Sequence, residues 1–187
     1  GVAPAELADD ATFIRRATID IIGTIPSPSQ VDAFLRDPSP SKRRELVTRL
    51  VNSTEYAIHW MNYWDDVLMG REVRSPIVDR RAFRRWLYDA FKANAPWNQM
   101  VASLVDARGT NSAGGERTKK AMGPRPLAEE GGQVAPEPVP ENVNGAVNYS
   151  LRFLDSPLDL AGTSSRVFLG VQIQCAQCHD HKTEKWK

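Results

Sequence analysis

Apolar residues recur at helical spacing through the first 106 residues of the chain. Between residues 10 and 22, Phe13, Ala17 and Ile21 lie four positions apart, and Gly23 follows as an end signal. The string from Ser27 to Gln30 has the form of a capping box with proline at the first helical position. It predicts a short second helix.

Similar start signals precede four more predicted helices, which begin after Ser39, after Ser53, after Asp79 and at Pro96. We expect the helix after Ser53 to run from about Thr54 to Met69, and the helix from Pro96 to end at Gly109.

The composition changes between residues 109 and 145, where glycine and proline are frequent and apolar residues show no helical periodicity. This stretch predicts a long loop, and a loop of this length within a domain often has a function. Helical patterning resumes at Val147, and Pro157 begins a last helix that runs through Leu169 toward the C-terminal cysteines. We therefore predict an all-α multi-helix bundle, a single domain spanning residues 1–187 with a loop excursion over 109–145.

Composition narrows the class of protein. Apolar residues make up 41% and charged residues 25%, which is typical of neither a disordered nor a fibrous chain. The net charge of +1 argues against a dedicated nucleic-acid binder, and no apolar run is long enough to cross a bilayer.

The two cysteines carry the most specific chemical signal. Cys175, Cys178 and His179 form the string C-x-x-C-H, the attachment signature of c-type haem. Two thiols three residues apart can bond the two vinyl groups of one porphyrin edge, and the following histidine supplies the proximal iron ligand. One covalently attached haem c is the predicted cofactor.

Three other interpretations of these cysteines remain open. A zinc site could use the cysteines with His179 or His181, although structural zinc sites usually draw ligands from two separate segments. A redox C-x-x-C usually follows a strand, and no strand-rich context is visible. The pair could also be two unrelated buried thiols.

The other axial position of the iron decides between electron transfer and ligand chemistry. Eight residues of the given sequence follow His179, so we expect any distal ligand other than His181 to come from upstream. His59 is one candidate, and Met100 and Met122 are others, since imidazole and thioether both pair with a proximal histidine. Met100 lies on an apolar stripe that is more typical of core.

Two side-chain patterns in the helical region have both structural and functional interpretations. The predicted helix from Thr54 to Met69 carries an aromatic face, which we interpret as core, with the lining of a haem pocket as the alternative. The helix after Asp79 carries four arginines, Arg80, Arg81, Arg84 and Arg85. They are typical of a solvated face, and could alternatively dock an acidic redox partner or reach haem propionates. The adjacent carboxylates Asp65 and Asp66 are interpreted as caps or surface residues.

Several strings resemble one bacterial family. The segment from Phe13 to Pro26 resembles the opening motif of the planctomycete-type cytochrome c-like domain, and 53–64 is similar to its second block, rich in tyrosine and tryptophan. The segment from Phe168 to His181 is similar to the most recognisable string of that family. The resemblance implies an exported c-type haem domain with Cys175 and Cys178 as attachment residues. Lys182 stands where the family usually has proline.

These observations lead to one expected function and two alternatives. We expect an electron-transferring c-type cytochrome domain with no catalytic residues of its own, acting with a redox partner protein or an adjacent domain. The alternatives are a five-coordinate haem sensor or peroxidatic domain, and a zinc-stabilised interaction module. Because thioether attachment takes place outside the bacterial cytoplasm, we expect the protein to be periplasmic or otherwise exported, with its signal peptide removed.

Overall fold

The computed structural model describes residue 3 and residues 5–70, 76–114 and 134–177 of the 187-residue chain. Within these ranges the chain is helical and has no strand, which confirms the all-α prediction there. The helices are α1 Asp10–Ile22, α2 Pro28–Arg36, α3 Lys42–Val51, α4 Thr54–Met69, α5 Arg80–Lys92, α6 Trp97–Val105, α7 Val147–Leu151 and α8 Pro157–Ser164. A π-helical turn, Ser165–Leu169, continues α8, and a 3-10 turn follows at Gln174–Gln177.

Four of the predicted helix starts are confirmed by side-chain caps. The side chains of Asp9, Ser27, Ser53 and Asp79 each accept a hydrogen bond from the backbone N–H three residues further on. Ser27 and Gln30 complete the reciprocal capping box. At the other end of α1, Gly23 adopts a left-handed φ of 74°, which glycine takes without steric cost.

Three boundaries differ from the prediction. The third helix begins at Lys42 rather than after Ser39, because the backbone N–H of Ser39 bonds the Asp37 carboxylate and forms a separate turn. The sixth helix ends at Val105, and the chain beyond it is held by Thr110, whose carbonyl accepts from the backbone N–H of Asn144. The last helix is divided, since its final turn is π-helical.

The buried side chains form two clusters that meet at Tyr56. The first lies between α1, α2 and α3 and consists of Ile14, Ile22, Phe34, Leu46 and Leu50. The second is larger and is built on α4 and α5, with Met100, Leu104 and Tyr149 arriving from α6 and α7. Tyr56 at the start of α4 packs against both clusters.

A buried carboxylate joins α4 to α5. Asp65 is completely buried, and its oxygens accept from Arg80 Nε at 2.9 Å and from Arg84 Nη1 at 2.6 Å. Arg84 also donates to Asn62 at 2.8 Å. The interpretation of Asp65 as a cap or surface residue is therefore wrong. Its position on the buried face follows from helical spacing, because Ile58, Met61 and Leu68 of the same face are core residues.

The four arginines of α5 all form ion pairs within the chain. Arg80 and Arg84 bind Asp65, Arg81 binds Glu137 at 2.6 Å, and Arg85 binds Asp89 at 2.8 Å. Each of the four cations is engaged by a carboxylate of the same chain. Arg80 and Arg84 thus belong to a buried ion-pair network, whereas the pairs of Arg81 and Arg85 lie at the solvated surface.

Asn148 ties the segments on either side of the glycine- and proline-rich stretch to the start of α5. Its side-chain oxygen accepts from the backbone N–H of Asp79 at 2.7 Å and from Asn111 at 2.9 Å. Its amide nitrogen donates to the carbonyls of Asn111 and Gly145, so this completely buried side chain has its hydrogen bonds satisfied. Gly145 itself lies directly against the backbone of Ala82.

In the ranges that the structure describes, no helix combines the length and apolar character needed to cross a membrane.

We expect Asp65→Asn to lower the free energy of unfolding by on the order of 3 kcal/mol, because it removes the charge that compensates two partly buried guanidinium groups. Asp32→Asn is the matched control. Asp32 pairs with Arg36 in an exposed i, i+4 contact, and its loss should cost less than about 0.5 kcal/mol. Urea unfolding followed by circular dichroism measures both, and equal effects would contradict the role given to Asp65.

We expect Gly145→Ala to destabilise the protein by about 2 kcal/mol or more, because the new Cβ would lie 2.1 Å from the Ala82 carbonyl oxygen, a backbone atom. Gly114→Ala provides the comparison. A Cβ there meets no atom within 4 Å and carries only the cost of a φ of 72°, about 1 kcal/mol. Thermal unfolding in which Gly145→Ala is the milder variant would disprove the close approach.

Candidate functional site

Cys175 lies in the 3-10 turn Gln174–Gln177, close to the end of the described chain. Its residue is exposed, and the thiol is free of any disulfide. The other predicted residues of the motif, Cys178 and His179, lie outside the described residues, as do His181 and Met122. The first thiol of the motif is therefore accessible at the surface.

The turn that carries Cys175 is supported by α8. Gln174 packs on Gly162 so closely that a Cβ at Gly162 would lie 2.4 Å from Cγ of Gln174. Gly162 is buried, and any larger residue there would displace the Gln174 side chain. The lack of a side chain at Gly162 thus allows the cysteine turn to pack closely against α8.

The segment leading to Cys175 exposes apolar side chains. Leu169, Val171 and Ile173 are 75%, 43% and 39% exposed, whereas Phe168 packs inward against the larger core. Exposed apolar residues are ordinary when scattered, but these three occupy alternate positions directly before the cysteine turn. They give the neighbourhood of Cys175 an apolar surface.

Phe168 begins a series of aromatic contacts that leads from this segment to α4. Its ring centroid lies 6.1 Å from that of Trp97 and 6.0 Å from that of Tyr149. Trp97 in turn stacks obliquely on Trp64 of α4 at 4.3 Å. These spacings are typical of favourable aromatic pairs.

The aromatic face of α4 lies beside the core rather than at its centre. Trp60 and Trp64 are partly buried against the larger cluster, and Tyr63 is 51% exposed. The most deeply buried side chains of α4 are those of Ala57, Met61 and Leu68 among others. The core interpretation of the stripe holds for its tryptophans and is wrong for Tyr63.

His59 rests on the end of α1. A Cβ at Gly23 would lie 2.1 Å from Nδ1 of His59, so only glycine leaves room for the imidazole. The ring meets Trp60 edge-on at 5.3 Å, and the Trp60 indole N–H donates to the carbonyl of Ile21 at 3.2 Å. Burial lowers the pKa of His59 below 6.5, which favours the neutral imidazole.

Met100, the other candidate distal ligand within the described residues, is a core residue of α6. It is 3% exposed and belongs to the cluster built on α4 and α5. Its surroundings differ from those of His59, which contacts α1, and from those of Cys175, whose turn contacts α8. Cys175 and the two described candidate distal ligands, His59 and Met100, thus have different surroundings.

Within the described ranges, no group of three or more histidine, cysteine or acidic side chains is arranged to hold a metal ion. Cys178, His179 and His181, which the zinc alternative would use with Cys175, lie outside those ranges.

Sequence reasoning missed two polar residues near this region, Arg152 and Tyr149. Arg152 donates to the carbonyl of Leu68 at the end of α4, and the Tyr149 hydroxyl lies 2.9 Å from that of Ser164 on α8. Burial raises the pKa of Tyr149, while the bond to Ser164 and the Arg152 charge oppose the shift. Tyr149 lies on α7 and Arg152 directly follows it, and their spacing of three residues does not by itself predict these partners.

We expect the free energy of unfolding to fall as the pH is lowered below about 6.5, with His59 contributing to the slope. Its folded-state pKa is depressed, so the unfolded chain binds the proton more readily in this range. The contribution is complete above pH 6.5 and is lost as the pH falls toward the folded-state value. Urea unfolding of the wild type and His59→Gln between neutral and mildly acidic pH measures it. Identical slopes in both proteins would show that the imidazole is not desolvated.

The PSCyt2 family model, whose description is "Protein of unknown function (DUF1549)", matches residues 1–187. No curated protein and no solved structure matches the chain. The resemblance expected from the sequence is thus confirmed as membership of a planctomycete-type family of unknown function, while its haem stays a proposal. With the whole sequence matched, the chain belongs to the PSCyt2 family.

Proposed function

We propose that this protein is an exported c-type cytochrome domain that carries one haem c and transfers electrons. In this proposal Cys175 and Cys178 form the two thioether bonds and His179 is the proximal iron ligand. Each thiol adds across one vinyl group, with sulfur bonding one carbon and the thiol hydrogen going to the other. The C-x-x-C-H string is the observation that carries the proposal.

The described part of the motif fits this chemistry. Cys175 is exposed and unpaired, which a thiol needs if it is to react with a porphyrin edge. It lies in a 3-10 turn that ends at Gln177. The spacing of the two thiols along the sequence is the one that the two vinyl groups of one porphyrin edge require.

The surface around the turn also fits a large apolar group. Val171 and Ile173 present exposed aliphatic side chains immediately before Cys175. Covering such surface is worth about 25 cal/mol per Å² of apolar area removed from water. A porphyrin held there would cover surface that the described residues leave exposed.

A haem bound at this motif would supply one-electron exchange at its iron, and the polypeptide would anchor it and exclude water. The helices below the turn provide the anchor, since Gly162 of α8 receives Gln174 and Phe168 packs into the aromatic series. The partner would be another redox protein or an adjacent domain.

The candidates for the distal iron ligand are His59, Met100 and Met122. Burial holds His59 in the neutral form, the form in which imidazole coordinates a metal. Met100 would have to leave a core position in which it is 3% exposed. Of these two described residues, His59 is the less buried.

Covalent attachment is tested by producing the chain in a bacterial periplasm that contains the haem-attachment machinery. We expect the wild type to retain a haem absorption band after denaturation and acid–acetone extraction, with the pyridine haemochrome spectrum of a haem bound by two thioethers. Cys175→Ser should shift that spectrum to that of a single thioether or abolish attachment.

The motif contains its own matched controls. His179→Ala should lose the proximal ligand and most of the attached haem, whereas His181→Ala, two residues away, should retain a covalent haem. Export of a folded wild-type chain free of haem would overturn the proposal, and so would equal haem content in Cys175→Ser and the wild type.

A further inference from the structure

The aromatic contacts that begin at Phe168 continue along α4. The ring centroid of Tyr63 lies 5.5 Å from that of Trp64 and 5.6 Å from that of Trp60. With the pairs described above, these contacts make one continuous row of rings, which we call the aromatic series: Phe168, Trp97, Trp64, Tyr63 and Trp60. The series leads from the segment before the cysteine turn, across the start of α6, to α4.

Packing into the core accounts for only part of the aromatic series. Trp60 and Trp64 lie against the larger core cluster, whereas Tyr63 is 51% and Trp97 is 39% exposed. Large rings gain free energy from burial, so burial does not explain why these two rings lie at the surface. What the two exposed rings share is a contact with Trp64.

The residue types of the aromatic series suit the transfer of single electrons. Tryptophan and tyrosine are among the side chains that most readily lose one electron, because their electron-rich rings delocalise the unpaired electron that remains. An electron passes quickly between two such rings in near contact. The ring centroids of Trp97 and Trp64 are 4.3 Å apart, and those of Trp64 and Tyr63 are 5.5 Å apart. Phenylalanine is much harder to oxidise, so Phe168 adjoins this path without taking part in it.

The proton balance identifies the ring at which the path ends. A tyrosine that loses an electron also releases its hydroxyl proton, and solvent water can take up that proton from the half-exposed Tyr63. Trp60, in contrast, donates its indole N–H to the carbonyl of Ile21 at 3.2 Å, and an amide carbonyl is too weak a base to remove the proton. An oxidised Trp60 therefore keeps its proton and takes an electron back from Tyr63. Tyr63 is the ring at which the oxidised state becomes stable.

We propose that Trp97, Trp64 and Tyr63 form a path that leads an oxidising equivalent away from the segment before the cysteine turn to the surface at Tyr63. A one-electron oxidant takes an electron from Trp97, whose indole releases its proton to water. Tyr63 then gives an electron through Trp64 and its hydroxyl proton to water, while Trp97 regains one electron and one proton. The neutral tyrosyl radical that remains is reduced by a diffusing donor of one electron and one proton, such as ascorbate.

This path goes beyond the proposed cytochrome function, because it consists of protein side chains alone. It is therefore tested on the full-length chain without haem. Trp186 lies outside the described residues, so Trp186→Phe serves as the parent protein in every comparison. The remaining tryptophans are then all described residues.

The oxidant is the azide radical, generated by pulse radiolysis, which takes one electron from tryptophan in preference to tyrosine. In the parent protein we expect the tryptophanyl absorption to decay as the tyrosyl absorption grows, at a rate independent of protein concentration. Tyr63→Phe should lose most of this tyrosyl signal. Tyr88→Phe is the matched control and should retain it, since Tyr88 lies on α5, is 9% exposed and has Arg85 over its ring at 5.4 Å.

The part played by Trp64 is tested in the same way. Trp64→Phe keeps an aromatic ring in place and removes the one that is readily oxidised, so the fast phase of tyrosyl growth should be lost. Trp86→Phe is its control, because Trp86 stacks on Phe83 at 6.0 Å and is not a member of the aromatic series. Circular dichroism confirms that each variant is folded, and added ascorbate should remove the tyrosyl absorption.

A nitroso spin trap followed by peptide mass spectrometry locates the radical. Adducts at Tyr63 in the parent protein support the path. Adducts confined to Tyr56, Tyr88 or Tyr149 overturn it, as do equal tyrosyl signals in the parent protein and Tyr63→Phe, or unchanged kinetics in Trp64→Phe. Failure of haem attachment overturns the proposed function and leaves these results to judge the path.

Discussion

The arrangement of the larger helical cluster depends on one buried carboxylate. Asp65 of α4 has no exposure to solvent and is charge-compensated by Arg80 and Arg84 of α5, which are four residues and so one helical turn apart. A carboxylate with two cationic donors at fixed positions sets how α4 and α5 pack. Burying charged groups is costly, so such a contact specifies an arrangement more than it adds stability.

A short series of contacts connects the Asp65 ion pairs between α4 and α5 to the cysteine turn. The start of α5 is bonded to Asn148, which fixes the segment around Gly145 and places α7 beside α5 and α6. Tyr149 of α7 bonds Ser164 of α8, and α8 receives Gln174 next to Cys175. The described half of the C-x-x-C-H motif is thus an exposed element on a well-packed support. The proposed haem, if anchored covalently there, would need little protein to enclose it.

Local signals predicted the elements well because they act over three or four residues. The caps at Asp9, Ser27, Ser53 and Asp79 all lie at the expected positions. Contacts between residues that are remote in sequence could not be predicted from such local signals. The chain beyond the end of α6 is held by the distant Asn144. Arg80, Arg81 and Arg84 of α5 looked solvated because their partners Asp65 and Glu137 are remote in sequence. Asp65 could have been found, since it occupies a core position of α4 and its partners sit one turn apart on α5. Of the candidate site, the motif was readable from spacing, whereas Gly162, Arg152 and Tyr149 emerge only from packing.

The central claim, that Cys175 and Cys178 hold a haem covalently, is tested most directly by the intact mass of the denatured protein after periplasmic maturation. The account predicts a single species whose mass equals that of the chain plus one haem, with both cysteines resistant to alkylation. A chain of unmodified mass whose two thiols are both alkylated, in cells that mature a control cytochrome c normally, would contradict it.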